Sequence, residues 1–336
     1  MQTRRLGKTD LELTTVGLGT WAIGGGGWAF AWGPQDDRDS KAAIKYALDL
    51  GVNWIDTAPV YGLGHAEEVV GRVIRHMSGR PLIATKCSRI WDQQRRIGNS
   101  LRKESLLREL DDSLRRLRVD VIDLYQIHWP DPEEQLEEGW DTVARMVAAG
   151  KVRYAGVSNF SVDQMKRIQP IHPVASLQPP YSMLRRDVEK EILDFCRQHD
   201  IGVIPYSPMQ KGLLTGKITR ERIAGLAMDD HRRRDPMFND PELSVNLEFV
   251  DKIGHLAATS NHSPAQLAVA WVLRRPEVTA AIVGARRPGQ IEETVQAGAW
   301  RLDDATVGAV ENLLAERTQR ISEIGNNDAE KPSEPD

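Results

Sequence analysis

Two apolar periods take turns along the chain. Short runs in which almost every position is apolar, rich in Val and Ile, are followed by longer stretches in which apolar residues return every three or four positions. The short runs read as strands buried on both faces, because a strand with one wet face alternates apolar and polar residues. The longer stretches read as helices with a single apolar stripe. TTVGLGT leads to a helix over 39–50 with Asp39 as its N-cap, VNWIDT leads to HAEEVVGRVIRHM, and RPLIATK leads to SLRKESLLRELDDSLRRL. VDVIDLYQIH, KVRYAGVS and VASLQ are followed by EEQLEEGWDTVARMVAAG, SVDQMKRIQ and DVEKEILDFCRQH. IGVIPYS is followed by helices over 243–260 and 264–274, and TAAIVG by PGQIEETVQAG.

Eight such units predict an α/β fold of the (β/α)8 barrel type, one domain over residues 1–318. An open doubly wound sheet is the alternative arrangement. TRRLG and LELTT, separated by KTD, read as an N-terminal hairpin capping the barrel floor. Residues 319–336 are polar and charged with two prolines and are expected to be disordered. The long irregular segment 219–241 has the character of a lid.

VGLGTWAIGGGGW superficially fits the G-x-G-x-x-G/A turn of a dinucleotide-binding βαβ unit, with Asp36 and Asp37 near the place of a ribose-binding carboxylate. That turn works by delivering a pyrophosphate to a helix that starts at once. Here Ala22 and Ile23 run into four glycines and then WAFAWGPQDD, where no helix can begin. The fingerprint reading fails on this physical ground, and the nature of any cofactor has to come from elsewhere.

Composition narrows the class further. A formal net charge of -4 offers no basic field for nucleic acid. Cys87 and Cys196 are the only cysteines and form no C-x-x-C, so a reduced cytoplasm is the expected compartment. No apolar run reaches membrane-spanning length, and the N-terminus lacks a signal-peptide pattern. The eight histidines form no H-E-x-x-H or similar motif, so no metal site is expected. A monomer is the working expectation, although the sequence leaves the oligomeric state open.

In a barrel of this type, functional side chains gather where strands end. Asp56 closes VNWID and Tyr61 follows it, Lys86 closes LIATK, and His128 closes DLYQIH. Each has a bland alternative: a structural ion pair, a core histidine, a rim tyrosine. Ser158-Asn159 alone would read as an N-cap. Four titratable residues on three successive strand ends change the balance. A free phenol, with a pKa of about 10, is a weak acid at neutral pH. A neighbouring ammonium stabilises the phenolate, a carboxylate holds that ammonium, and an imidazole can orient a carbonyl. The set suits general acid catalysis at a carbonyl oxygen, which contributes about 10²- to 10⁴-fold. Acyl transfer and metal-assisted hydrolysis lack their groups. No side chain supplies hydride, so a nicotinamide cofactor is the missing partner.

At these residues the chain resembles the aldo-keto reductases. NWIDTAPVYG, ATK, LYQIHWPD, GKVRYAGVSNF, LQPPYSML, GVIPYSPMQKGLLTGK and IVGARRPGQIEE occur in the family's order. QPPYSMLRRDVEK and the loop with DDHRRRDPMF are most similar to the bacterial general-stress and inositol-catabolism branch. The resemblance implies NADPH or NADP+ bound extended at the barrel mouth, with Tyr61 as acid, Lys86 and Asp56 as its tuning pair, and His128 beside the carbonyl. It implies Gly19, Thr20 and Trp21 near the nicotinamide, and Asp56, Ser158, Asn159 and Gln178 around it, with Tyr206 stacked on the ring. Ser207, Pro208, Met209, Gly212 and Leu213 would line the pyrophosphate with Lys217 nearby. Gly284, Arg286, Gln290 and Glu293 would hold the adenosine end, Arg286 reading the 2′-phosphate. Thr294 departs from the Asn that many members carry.

The activity so implied is reversible reduction of small aldehydes and ketones, whether glyceraldehyde-like, dicarbonyl or aromatic. Trp21, Trp28, Trp32, Trp91 and Trp129 would give an apolar pocket. A competing reading is an NADPH-binding regulatory or redox-sensing subunit with little turnover, disfavoured by the presence of His128. A barrel aldolase or isomerase using Lys86 as a Schiff base is also disfavoured, since Asp56 keeps that amine charged.

Overall fold

In the computed structural model, which describes residues 1–77 and 79–329, eight parallel strands curl into a barrel with helices outside. The hairpin strands β1 (Thr3–Arg5) and β2 (Glu12–Thr14) precede the first barrel strands β3 (Val16–Gly19), β4 (Trp54–Asp56) and β5 (Leu82–Cys87). A second hairpin, β6 (Arg89–Trp91) and β7 (Ile97–Asn99), stands on the loop before β8 (Ile122–Ile127). The barrel is completed by β9 (Val152–Ser158), β10 (Ser176–Gln178), β11 (Gly202–Val203) and β12 (Ala281–Gly284). Hydrogen bonds from Thr279 N to Val203 O (2.8 Å) and from Ile282 N to Pro205 O (2.9 Å) close the sheet on itself. All six residues of β8 are buried, the pattern of a strand covered on both faces.

The helices are α1 (Asp37–Asp49), α2 (His65–Ile74), α3 (Lys103–Leu117), α4 (Leu136–Ala148), α5 (Val162–Ile168), α6 (Ile192–Gln198), α7 (Arg220–Ala224), α8 (Glu242–Ala258), α9 (Pro264–Leu273), α10 (Pro288–Val295) and α11 (Asp304–Ala329). Ser161 and Ser263 each close a reciprocal capping box, with Gln164 and Gln266, and Pro264 sits in the first turn of α9. Because Ser161 caps α5, Ser158 and Asn159 are released from that role.

The hairpin of β1 and β2 plugs the floor as expected, with Leu6, Leu11 and Leu13 packed against Trp54. The Trp54 indole lies across Gly17, where an added Cβ would fall 2.0 Å from the ring. Its Nε1 donates to Thr14 O at 2.9 Å. This leaves the opposite end of the barrel, where the strands finish, as the open mouth.

Two boundaries differ from the sequence reading. Helix α1 starts at Asp37, not after Asp39, because the Asp36 carboxylate accepts the Arg38 N–H at 2.6 Å and is the true cap. Asp37 is held by His65 (2.8 Å) and Arg72 (3.3 Å), so both carboxylates of the abandoned ribose reading are structural. Of the tail expected to be disordered, residues up to Ala329 continue α11, and 330–336 lie outside the described residues. No described helix is long and apolar enough to cross a membrane.

Candidate active site

Strand ends β4, β5 and β8 bring the four titratable residues together. The Lys86 ammonium is fully buried and donates to both Asp56 oxygens (2.8 and 2.9 Å), to Thr57 O (2.8 Å) and to the Tyr61 hydroxyl oxygen (3.3 Å). The Tyr61 and His128 rings meet edge to face at 5.9 Å between centroids. The loop carrying Tyr61 is pinned from the other side by the turn after β3. A Cβ at Gly24 would lie 2.6 Å from Gly62 N and 2.8 Å from the Tyr61 carbonyl carbon. This close approach is one use of the glycine-rich stretch that mimicked a nucleotide fingerprint.

The electrostatics correct one expectation. Burial pushes the Tyr61 phenol well above its ordinary value, with the Asp56 carboxylate acting in the same direction and the Arg89 guanidinium against it. Lys86 does not pull the phenol below its ordinary value in this state, because its charge is matched by Asp56 at contact distance. Burial draws Lys86 itself below its ordinary value, opposed by Asp56. Burial, Lys86 and Arg89 hold His128 well below the usual imidazole range. At neutral pH the site therefore presents a protonated phenol and a neutral imidazole.

Beside the tetrad, Gln178 Nε2 donates to Asp56 Oδ2 at 2.8 Å. Ser158 Oγ donates to Gln178 O (2.8 Å), and Asn159 Nδ2 donates to His128 O and Ser158 Oγ (both 3.0 Å). The Tyr206 hydroxyl donates to Asn159 Oδ1 at 2.9 Å. Asp56, Asn159, Gln178 and Tyr206 fringe a cavity of about 790 Å³ that extends from Tyr61 and His128 to Gln290 and Glu293. Gly19, Trp21, Ser207, Pro208, Met209, Gly212, Lys217, Gly284 and Arg286 also face it. Thr20, Ser158, Lys86 and Leu213 stand behind its wall: Thr20 is fixed to Asp56 O, and Leu213 packs with Ile218, Phe238 and Leu243.

The segment expected to act as a lid folds over this mouth and locks onto the loop after β3. Gly27 N donates to Asp229 Oδ2 (2.6 Å), His231 N to Ala31 O (3.0 Å), and Arg234 to Ala29 O (2.7 Å). The His231 ring stacks on Trp21 with centroids 4.8 Å apart. Trp21, Trp28, Trp32 and Trp129 face the cavity, whereas Trp91 does not. Arg286 is already engaged: it donates to Gln35 Oε1 (2.6 Å), Trp32 O (3.2 Å) and Pro34 O. Lys217 pairs with Glu293 across the cavity rim at 2.5 Å.

The sequence profile described as "Aldo/keto reductase family" matches residues 15–315. The chain belongs to the aldo/keto reductase family. It is 37% identical over 317 residues to the aldo-keto reductase YhdN of Bacillus subtilis, covering 94% of each. It is 33% identical over 316 residues to the NADH-specific methylglyoxal reductase of Escherichia coli, covering 89% of this chain and 94% of that one. The solved structure of the glycerol dehydrogenase AKR11B4 from Gluconobacter oxydans matches with a TM-score of 0.86 and 38% identity, over 100% of this chain and 98% of that one. The family uses nicotinamide cofactors, and its barrel is the one described above.

Within this aldo/keto reductase, several cavity residues escaped the sequence reading. Behind the wall, Gln126 accepts from Gln178 at 3.4 Å, and its one signal was a polar residue inside the apolar run VIDLYQI. His231, Arg89 and Arg185 carry no such signal. They reach the cavity from the connections after barrel strands, whose course is set by contacts between distant segments.

Proposed function

We propose that this chain is an NADPH-preferring reductase of small aldehydes and ketones that also oxidises the corresponding alcohols. The observation that carries the reading is the Tyr61 hydroxyl touched by the Lys86 ammonium from behind and packed edge to face with His128, where burial favours the neutral phenol and the neutral imidazole. A nicotinamide fits on a separate observation: the Gln178 side-chain oxygen accepts no hydrogen bond from the described residues, although its amide nitrogen is held by Asp56 and Gln126. A carboxamide N–H can meet that acceptor. Asn159 and Gln178 would hold the carboxamide, with Ser158, which the sequence reading placed beside them, bracing both from behind the wall, and with Tyr206, Gly19 and Trp21 against the ring. Ser207, Pro208, Met209, Gly212 and Lys217 would face the pyrophosphate, and Gly284, Arg286, Gln290 and Glu293 the adenosine.

When bound, the dihydronicotinamide supplies the hydride. The protein's own groups handle the oxygen. His128, kept neutral, donates an N–H to the carbonyl oxygen and orients it. Tyr61 gives that oxygen its proton as negative charge develops there. Lys86 then donates to the phenolate, and Asp56 keeps Lys86 charged and in position. The aromatic wall of Trp21, Trp28, Phe30 and Trp129 excludes water from the step. Consumption of NADPH with 4-nitrobenzaldehyde or glyceraldehyde tests the reading, and tight binding without turnover would leave a sensing subunit in its place. The two buried, free cysteines suit a reducing cytoplasm.

The preference for NADPH rests on charge at the adenosine end. Burial draws the Arg286 pKa down, and Arg232, Arg287 and Arg222 act in the same direction while Asp230 opposes them. Surplus positive charge there favours a cofactor bearing a 2′-phosphate. Because Arg286 also ties down Trp32, Pro34 and Gln35, the remaining guanidinium protons would have to serve the phosphate. We expect Arg286→Ala to raise the NADPH dissociation constant by roughly 10- to 100-fold, the scale of one charge-assisted hydrogen bond, and to move NADH only a few-fold. Quenching of tryptophan fluorescence reads both constants. Equal weakening of the two cofactors would make Arg286 a strap for the loop and nothing more.

A further inference from the structure

Six arginines line the cavity, and four are engaged by the protein itself. Arg222 donates to Lys217 O, Arg232 pairs with Asp230, Arg234 donates to Ala29 O, and Arg286 holds the loop at 32–35. Arg89 and Arg185 make no side-chain hydrogen bond and no ion pair among the described residues. Both lysines of the cavity are likewise neutralised, Lys211 by Asp235 and Lys217 by Glu293.

Arg89 is the more telling of the two. It opens β6, three residues after Lys86, and is half-buried. Its guanidinium carbon lies 5.5 Å from the centre of the Phe30 ring and 5.4 Å from that of Trp129. Two aromatic faces thus hold a cation in place without neutralising it. Asp131 attracts Arg89 at a distance but is bonded to Asn99. Arg89 stands over Trp129, the residue that follows His128, which places it at the carbonyl end of the cavity, and Arg185 is an exposed residue of the same cavity lining. A half-buried guanidinium with free donors on a rigid mount is completed by an anion, and its planar fork matches a carboxylate or a phosphate.

We infer that Arg89, assisted by Arg185, binds an anionic group of the substrate, so that the preferred substrates are small aldehydes or ketones bearing a phosphate or carboxylate near the carbonyl. This rests on the reductase reading above. Tyr61 and His128 would act on the carbonyl while the arginines fix the far end. That division makes anion binding a source of specificity, separate from the proton transfer.

Matched pairs of substrates test it with the full chain and NADPH: glyceraldehyde against glyceraldehyde 3-phosphate, and 4-nitrobenzaldehyde against 4-carboxybenzaldehyde. The reading is the ratio of kcat/KM, anionic over neutral. The wild type is expected to favour the anionic member of at least one pair, and the pair showing the larger ratio tells phosphate from carboxylate. Arg89→Leu should lower that ratio roughly 10- to 100-fold, mainly through KM, and Arg89→Lys should restore part of it. Should Arg89→Leu fail to fold, added salt should lower the wild-type ratio by screening the same attraction. No anionic preference in either pair, or a ratio unmoved by both Arg89→Leu and salt, overturns the inference. Absence of turnover with every substrate overturns the reductase reading instead, and the inference with it.

Discussion

Tyr61→Phe should reduce carbonyl turnover at least about 10²-fold while leaving NADPH binding almost unchanged. The substitution keeps the ring, which packs against Trp21 at 6.3 Å, Trp28 at 6.4 Å and His128 at 5.9 Å, so the cavity wall stays in place. It removes the proton that the site transfers to the carbonyl oxygen. The phenol stays protonated throughout the neutral range because burial and Asp56 both favour its neutral form. It therefore loses its proton only when the substrate oxygen becomes basic enough to take it. Steady-state kinetics and a fluorescence titration of the same preparation separate the two effects, and near-normal turnover would remove Tyr61 as the acid.

Lys86→Met should abolish most of the remaining rate advantage by a different route. Among the described residues the ammonium is the one cation in contact with the phenol oxygen, and it is the donor that would stabilise the phenolate. Its loss pushes the phenol still further above its ordinary value, so residual alcohol oxidation, which needs the phenolate as base, should appear only at higher pH than in the wild type. The replacement also strands Asp56, which is 2% exposed and keeps only the Gln178 amide as a side-chain partner. Breaking one side of a buried ion pair costs about 3–5 kcal/mol, so circular dichroism must show a folded variant first. If it is unfolded, Asp56→Asn tests the same coupling, since Lys86 then loses the carboxylate that keeps it charged. A pH profile identical to wild type with good activity would reduce Lys86 to a structural role.

The barrel was legible because its strands are buried on both faces. Runs such as IDLYQI in β8 leave few other readings, and the polar residues that end them mark the mouth. Asp56, Lys86 and His128 stood out as breaks in that apolar pattern. What stayed hidden depends on contacts between remote segments. Nothing near Arg286 in the chain announces that Gln35 and Trp32 will occupy its donors, 251 and 254 positions away. Nothing around Arg89 announces a pocket between Phe30 and Trp129. The end of α11 was missed for a related reason. Its last turns are polar, and they persist beside α8 through the Arg320–Glu248 ion pair and half-buried Ile321. Helix α1 was placed late because Asp36, Asp37 and Asp39 compete as caps, and only geometry distinguishes them.

Transfer of deuterium tests the central claim most directly. The wild-type chain is incubated with NADPH carrying deuterium at the transferred position of the nicotinamide, together with 4-nitrobenzaldehyde, and the alcohol is examined by mass spectrometry. The account predicts one deuterium on the carbinol carbon for each NADPH consumed, and a rate at least about 10² lower in Tyr61→Phe. Bound cofactor with no labelled alcohol, or labelled alcohol formed equally fast by both proteins, would contradict it.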